Sequence, residues 1–396
     1  MTVVTPSALR LALVADSFDS LGTGEQRLTV QIAEDLSRRG HSVTVLTGYA
    51  SSDLASNGVD VEAFCHTPAT HWMYQLVFAR WAARRMAIGN FDTSLSMTTM
   101  VPAAVLQPSD GIIHEAQRRS IQGQCEPWKR LFHSITVGLS PSQWLRRQLE
   151  IRTLMSSDLH RLVVTSQYVA DQAERVRNFD TEKLQIIVST AQLDTVSEQE
   201  ARQLRRTLRR ALRIDEKSIV FLFSAYDPFG NGARPLLKAV QQLNSRGMDL
   251  TLLICDCHQY RLNRLAAELG IRRQIRWMGK TPQRSAIYAT ADVTVLPSYY
   301  DPSGLVVVES LLAGVPVITS AFNGAAELLI DADTDARGRV VQDPDDVDAL
   351  AAAMADLINP GVRAVCHRSI KQIQSQLTMG RFVDELEIML KESAVE

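Results

Sequence analysis

The sequence predicts an α/β chain built from two doubly wound parallel sheets, and three observations carry that expectation. Short apolar runs alternate with amphipathic helical segments in both halves of the chain, the pattern left by strand–helix–strand crossovers. The 396 residues exceed the roughly 150 residues of one typical domain by a factor that calls for two or three. A charged segment with little apolar periodicity, Glu198 to Arg213, interrupts the alternation between the halves.

The elements follow in order. Leu9 to Ala15 (LRLALVA) reads as a strand and Asp16 to Gln26 as a loop. Leu28 to Arg39 reads as a helix stopped by Gly40 and His41, and Ser42 to Thr47 as the next strand. Strand, helix, strand with short links is a right-handed parallel crossover. In the second half Ser218–Ser224, Leu250–Cys255, Ile275–Met278, Val293–Pro297 and Val315–Thr319 read as strands. Helices fall between them at Ala233–Arg246, Tyr260–Gly270, Gln283–Ala291 and Gly304–Gly314. The boundary is set near Thr190, giving domains 1–189 and 190–396. Two open sheets on one linker are expected to leave a cleft, where small ligands usually sit.

Composition narrows the function. Lys and Arg total 42 against 44 Asp and Glu, a net charge of −2, which excludes a whole-chain polycation made for phosphate backbones, and no nucleic-acid motif accompanies the local charge. With 45% hydrophobic and 22% charged residues the chain is neither disordered nor of low complexity. Cys65, Cys125, Cys255, Cys257 and Cys366 are odd in number and widely spread, the opposite of a small disulfide framework. Met1 to Leu11 has no cationic start followed by a long apolar run, and no apolar window approaches about 18 residues; a cytoplasmic location is expected.

The densest signal is Tyr299 to Glu327, YYDPSGLVVVESLLAGVPVITSAFNGAAE. After a strand, Asp301, Pro302, Ser303 and Gly304 lead into a helix whose first N–H groups have no partner within the helix, a seat for an anionic or oxygen-rich ligand. Glu309 lies eight residues beyond Asp301, so two acids can serve one site at different depths.

This stretch resembles the retaining nucleotide-sugar glycosyltransferases of family 4, of GT-B type. The likeness rests on Asp301, Pro302, Gly304, Leu305, Val306, Glu309, Gly314, Pro316 and Val317, then Gly324 and Glu327. Ala336 to Ile358 and the glycine loop, helix and R-G-H-x-V ending of Leu21 to Gly48 also resemble that family. The flavour is closest to the glucosyltransferases of the lipopolysaccharide core heptose region, and the likeness is weakest from Ser51 to Glu150. It implies two Rossmann-like domains, with the last helix, about Val383 to Lys391, packing back on the first. It also implies transfer of a hexose, with retention, from a UDP-glucose-like donor to a cell-envelope glycan or glycolipid, without a cofactor or metal. By that likeness Glu309 holds the ribose hydroxyls and Asp301 supports the anomeric carbon. The N–H groups of Ser303, Gly304 and Leu305 meet sugar or diphosphate oxygens, and Gly24 lets the first loop approach the diphosphate.

Departures from the family pattern qualify the expectation. The Arg and Lys that neutralise the departing diphosphate are replaced by Tyr226 and Asn231. Arg234, Lys280 and Arg284 lie on the expected cleft side as donor-binding candidates, and Arg234 or Lys280 is expected to take over diphosphate neutralisation. The glycine expected in the hinge is replaced within Ser189 to Asp194. Asp110 and His114 are the acceptor-side candidates in the first domain. Cys255, Asp256, Cys257 and His258 lack a second ligand pair at zinc spacing, so Cys255 is expected to fill a small-residue position at a strand end. Basic and aromatic residues gather at Trp72–Met86 and Arg118–Arg147, a composition suited to an anionic bilayer surface as well as to solvated helix faces. The rival reading is a catalytically impaired relative that binds a nucleotide sugar or a protein; a GT-B epimerase is disfavoured because no matching His and acid set is present.

Overall fold

The computed structural model describes residues 8–51, 58–65, 72–122, 140–191, 193–194, 196–281, 283–330 and 336–395. Cys125, Trp128, Lys129 and Arg130 of the second basic and aromatic segment, and Gln192 of the hinge segment, lie outside the described residues. The chain divides into two units, one of residues 1–189 with 379–396, the other of residues 190–378.

In the first unit the strands β1 (Arg10–Phe18), β2 (Ser42–Ala50), β3 (Asp60–Cys65), β4 (Thr93–Ser96), β5 (Val105–Leu106), β6 (Arg161–Val164) and β7 (Leu184–Ile186) form one sheet in the order β3-β2-β1-β4-β5-β6-β7. Every pairing is parallel. The helices are α1 (Gly24–Arg38), α2 (Trp72–Ile88), α3 (Ile113–Gln122), α4 (Pro141–Leu154) and α5 (Gln167–Glu174). Here β1 runs three residues beyond the apolar run, and α1 starts at Gly24 rather than Leu28. The reason is a reciprocal cap: the Gln26 N–H donates to the Thr23 hydroxyl and the Thr23 N–H donates to the Gln26 side chain. Satisfying two end N–H groups lets a helix begin in a polar stretch.

The last helix, Met379–Ser393, belongs to this first unit. It buries Phe382, Val383, Leu386 and Leu390, and Arg39 donates to Asp384 and Glu387. Burial pushes the Glu387 carboxyl up, but hydrogen bonds from Lys391, Arg39 and His41 outweigh it and bring its pKa down to about 2.

The second unit repeats the design. The strands β8 (Ile219–Ser224), β9 (Leu250–Cys255), β10 (Ile275–Trp277), β11 (Val293–Leu296), β12 (Val317–Ser320) and β13 (Gly338–Val341) form an all-parallel sheet in the order β10-β9-β8-β11-β12-β13. Around it lie α6 (Glu198–Ala211), α7 (Ala233–Ser245), α8 (Gln259–Glu268), α9 (Arg284–Thr290), α10 (Leu305–Leu312), α11 (Val347–Ile358) and α12 (Pro360–Ile373). β8, β9 and β11 are buried over nearly their whole length, as expected of strands covered on both faces. Strand order reverses beside β1 in the first sheet and beside β8 in the second, and in such sheets the ligand crevice opens outside the carboxyl ends of the strands at that reversal.

Two glycines shape that edge of the second sheet. Gly232 has φ +83°, and a Cβ there would lie 2.1 Å from the Pro297 carbonyl oxygen. Gly304 has φ +59°, and a Cβ would lie 2.5 Å from both the Ala325 Cβ and the Asn323 Oδ1. Both combine left-handed backbone with close approach, which only glycine accepts without strain. Among the described residues no single helix is long and apolar enough to cross a membrane.

Candidate functional site

The loop after β11 is held by Asp301. Its Oδ1 accepts the Gly304 N–H at 2.9 Å and its Oδ2 accepts the Asn323 side-chain amide at 2.9 Å. Its backbone N–H donates to the Phe322 carbonyl while its own carbonyl accepts from the Gly324 N–H. Burial raises the Asp301 pKa, and the two hydrogen bonds oppose that shift. One sequence expectation changes as a result: the Gly304 N–H is engaged by Asp301, so it is not among the helix-terminal donors open to a ligand. Ser303 and Leu305 flank it and are buried.

Glu309, in the second turn of α10, is 4% exposed, and Arg284, at the start of α9, is 6% exposed. The Glu309 Oε2 accepts from Arg284 Nη2 at 2.8 Å and Nε at 3.2 Å, and from the Tyr288 hydroxyl at 2.6 Å. The same guanidinium donates through Nη1 to Asp256 Oδ2 at 2.5 Å and through Nη2 to the Ser224 hydroxyl at 3.2 Å. Burial alone would lower the Arg284 pKa, but Tyr288, Glu309 and Asp256 outweigh it and the pKa is raised. Burial, and then the Glu309 charge, pushes the Tyr288 phenol well above its ordinary value. Ser224 ends β8, Asp256 follows β9, and α9 and α10 lead into and out of β11. Chain segments far apart in sequence thus meet at the strand-carboxyl edge.

Arg284, expected among the donor-binding residues, is an ion-pair partner inside this network. Asp256 takes φ +64°, a left-handed conformation that Asp tolerates better than most residues, and this turns its carboxylate back toward Arg284. Cys255 is buried at the end of β9, as the sequence implies.

The other two expected cations sit on aromatic rings. The Lys280 ammonium lies 5.5 Å from the centroid of Tyr226, and the Arg234 guanidinium 4.9 Å from that of Phe229, whose ring also carries Arg261 at 4.5 Å. Tyr226, which stands where the likeness expects Arg, is 68% exposed. Asn231, where Lys is expected, donates to the Ser298 hydroxyl at 3.1 Å. Positive charge thus remains on the loop after β10 and at the start of α7 and α8, supplied from other positions.

The first unit has a pocket of about 240 Å³ at the carboxyl ends of β1 and β4, lined by Asp16, Ser17, Thr23, Glu25, Ser109 and Asp110 among others. Gly24 lies between two of its lining residues as the first residue of α1. Burial, and then the nearby Asp110, raises the Asp16 pKa to about 6, against Arg146 and the Thr98 hydroxyl. His114 is exposed in the first turn of α3 and does not line the pocket.

Asp16, Tyr288 and Arg261 escaped the motif reading, and Asp256 entered it only within the Cys255–His258 cluster, not as a partner of Arg284. Asp16 and Asp256 had one usable signal, an acid directly after an apolar strand run, which in a parallel sheet marks the ligand edge. Tyr288 and Arg261 carried none.

Residues 205–375 match the family Glycosyl transferases group 1. Among curated relatives, the chain is 25% identical over 313 residues to the uncharacterized glycosyltransferase MJ1607 of Methanocaldococcus jannaschii, covering 75% of this chain and 76% of that one. It is 28% identical over 246 residues to a D-inositol 3-phosphate glycosyltransferase of Corynebacterium aurimucosum, covering 59% of this chain and 58% of the relative. For that relative and its Corynebacterium counterparts the chain spans about half the length or slightly more. Among solved structures, WaaG, a glycosyltransferase involved in lipopolysaccharide biosynthesis, superposes with TM-score 0.75 at 19% identity, over 97% of this chain and 98% of that one. Anabaena HepE in complex with UDP-glucose does so with TM-score 0.70 at 16% identity, over 97% and 100%. The fold is that of the GT-B glycosyltransferases.

Proposed function

We propose that this chain, whose residues 205–375 match group 1 of the glycosyl transferases, moves a hexose with retention from a UDP-glucose-like donor to a cell-envelope glycan or glycolipid. The observation that carries the reading is the Glu309 carboxylate, oriented by Arg284 and Tyr288 at the strand-carboxyl edge of the second sheet. A carboxylate preset in this way suits the neighbouring hydroxyls of a ribose. Lys280 and Arg234 face the developing diphosphate charge, with Arg261 beside them, and Asp301 keeps the 301–304 loop in the shape that presents Ser303 and Leu305 to the donor. In the transfer the C1–O bond to the diphosphate breaks and a C1–O bond to the acceptor forms on the same face. The acceptor proton passes to the leaving phosphate, so no metal or added base is required. Asp110, with Asp16 beside it, binds acceptor hydroxyls, and His114 serves at the rim.

The test is a thermal-shift series with uridine, guanosine and adenosine diphosphates and their glucose conjugates, followed by an assay of nucleoside diphosphate release. A cognate nucleotide at about 100 times its Kd should add about 2.7 kcal/mol of stability, and Glu309→Gln should abolish that gain. A shift without release from any donor favours the binding-module alternative, and neither shift nor release defeats both readings.

The reading includes cytoplasmic residence with peripheral contact at the inner face of an anionic membrane. Met73, Val77 and Ile88 are exposed on α2, together with Arg80 and Arg84, and Trp144 and Ile151 are exposed on α4, which packs beside it. Rings and cations of this kind favour the headgroup layer. Flotation with phosphatidylglycerol vesicles should fall several-fold in Trp144→Ala with Ile88→Ser; unchanged flotation refutes the contact.

A further inference from the structure

The opposite edge of the second sheet carries a feature that sugar transfer does not use. A pocket of about 350 Å³ is lined by Arg205, Arg206, Arg209 and Arg210 of α6, with Ile214 and Glu216 just ahead of β8. The candidate donor residues lie at the carboxyl ends of the strands. β8 has six residues, so at about 3.3 Å each the two edges are separated by about 20 Å.

The four arginines divide into two pairs. Arg205 and Arg209 hold the fold: Arg205 donates to the carbonyls of Ala289, Thr290 and Ala291 at the end of α9, and both guanidinium groups contact Asp292, at 2.5 and 2.7 Å. Arg209 is 4% exposed and donates also to the carbonyls of Thr290 and Ser218. Arg206 and Arg210, one position further along, are exposed, and their guanidinium groups have no hydrogen-bond or ion-pair partner among the described residues. The acids of α6 lie in its first turn, where Glu198 pairs with Arg202 and the Glu200 carboxylate accepts the Ser197 N–H. Four guanidinium groups therefore face two carboxylates, Asp292 and Glu216, and positive charge is left over on the solvent side.

Like charges four residues apart on a helix destabilise it slightly, so this arrangement gains from an anion. Guanidinium groups are planar forks suited to bidentate phosphate contacts. Arg206 and Arg210 sit one helical turn, about 5.4 Å, apart, which matches two phosphate groups of one molecule better than a single ion, with Ile214 as an apolar wall. We propose that this arginine pocket is a binding site for a multivalent phosphate-bearing anion, separate from the donor site. The inference does not depend on the glycosyl-transfer reading.

The test compares the full chain with Arg206→Gln/Arg210→Gln, which leaves Arg205 and Arg209 in place, and with Arg202→Gln, which removes a cation of the same helix outside the pocket. Calorimetric titration with inorganic tripolyphosphate and flotation with phosphatidylglycerol vesicles are the two arms. The double variant should bind tripolyphosphate at least tenfold more weakly, with an unchanged unfolding midpoint, while Arg202→Gln behaves as wild type. A matching loss confined to the vesicles assigns the phosphate to a lipid headgroup and also supports the site. Wild-type binding by the double variant in both arms, an equal loss in Arg202→Gln, or no binding by the unmodified chain to either probe overturns it.

Discussion

Arg284→Met is expected to destabilise the 190–378 unit by about 3–5 kcal/mol, the range for removing one partner of a buried ion pair. The guanidinium serves three acceptors at once, Glu309, Asp256 and the Ser224 hydroxyl. With it gone, the carboxylates of Glu309 and Asp256 share a nearly dry site without a counter-charge. Arg284→Lys should recover only part of the loss, because an ammonium is a point charge and cannot span the same acceptors as a planar fork. Arg284→Met combined with Glu309→Gln should lose less than the two single changes added together, since the second removes the charge that the first strands. Urea unfolding of the parent, the three single variants and the double variant measures each value. A loss below about 1 kcal/mol for Arg284→Met would mean that the pair behaves as an exposed one and does not orient Glu309.

The same variants separate orientation from direct donor contact. If Arg284 acts through Glu309, Arg284→Lys keeps a positive charge near the donor yet still weakens nucleotide binding, because the Glu309 Oε2 is no longer held by both Nε and Nη2 of a planar guanidinium. If instead the charge itself met the diphosphate, the Lys variant would bind nearly normally. The geometry favours orientation: the guanidinium is almost fully buried and its strongest contacts are to carboxylates rather than toward solvent.

The alternation of strands and helices was legible where the strands of the second unit are apolar runs bounded by polar turns, as in SIVFLFS and LTLLIC, since such runs leave few alternatives once their spacing admits helices; β13, a short GRVV with a charged residue inside it, was not read as a strand. The Asp301 to Glu309 stretch was legible for a similar reason: an acid, a proline and a glycine ahead of an apolar helix describe a capped helix start whatever the protein does. The pairing of Glu309 with Arg284 was not, since 25 residues separate them and no periodicity relates positions brought together by a sheet crossover. Nor was the placement of Lys280 over Tyr226, because an exposed lysine in a loop reads alike whether it faces solvent or a ring. The start of α1 was misjudged for a local reason. Its first turn is polar throughout, and only the mutual hydrogen bonds of Thr23 and Gln26 reveal a helix there.

Glu150→Gln is expected to stabilise the first unit above neutral pH, by about 3 kcal/mol at pH 8. Glu150, in α4, is 3% exposed. Its Oε1 accepts the Ile113 N–H at 2.8 Å, one of the N–H groups at the start of α3. Burial raises its pKa to about 7; hydrogen bonds from the Ile113 and His114 N–H groups oppose that rise, followed by the charges of Arg147 and Arg146. The sign follows from proton counting. Between the unfolded value, near 4.3, and about 7 the folded chain holds a proton that the unfolded chain has released, so stability falls as pH rises through that window. Below it both states are protonated, and the contribution is fully present. A glutamine keeps an acceptor for the helix N–H groups and carries no charge to desolvate, so the variant should match the parent near pH 4 and exceed it increasingly up to pH 8. Asp16, with its pKa raised to about 6, leaves part of the slope in place, and Glu150→Gln with Asp16→Asn should flatten it further. Chemical denaturation at pH 4, 6 and 8 reads the difference directly. A variant less stable than the parent at pH 8 would show that the ionised carboxylate, held by two N–H groups at the start of a helix, more than offsets its own desolvation.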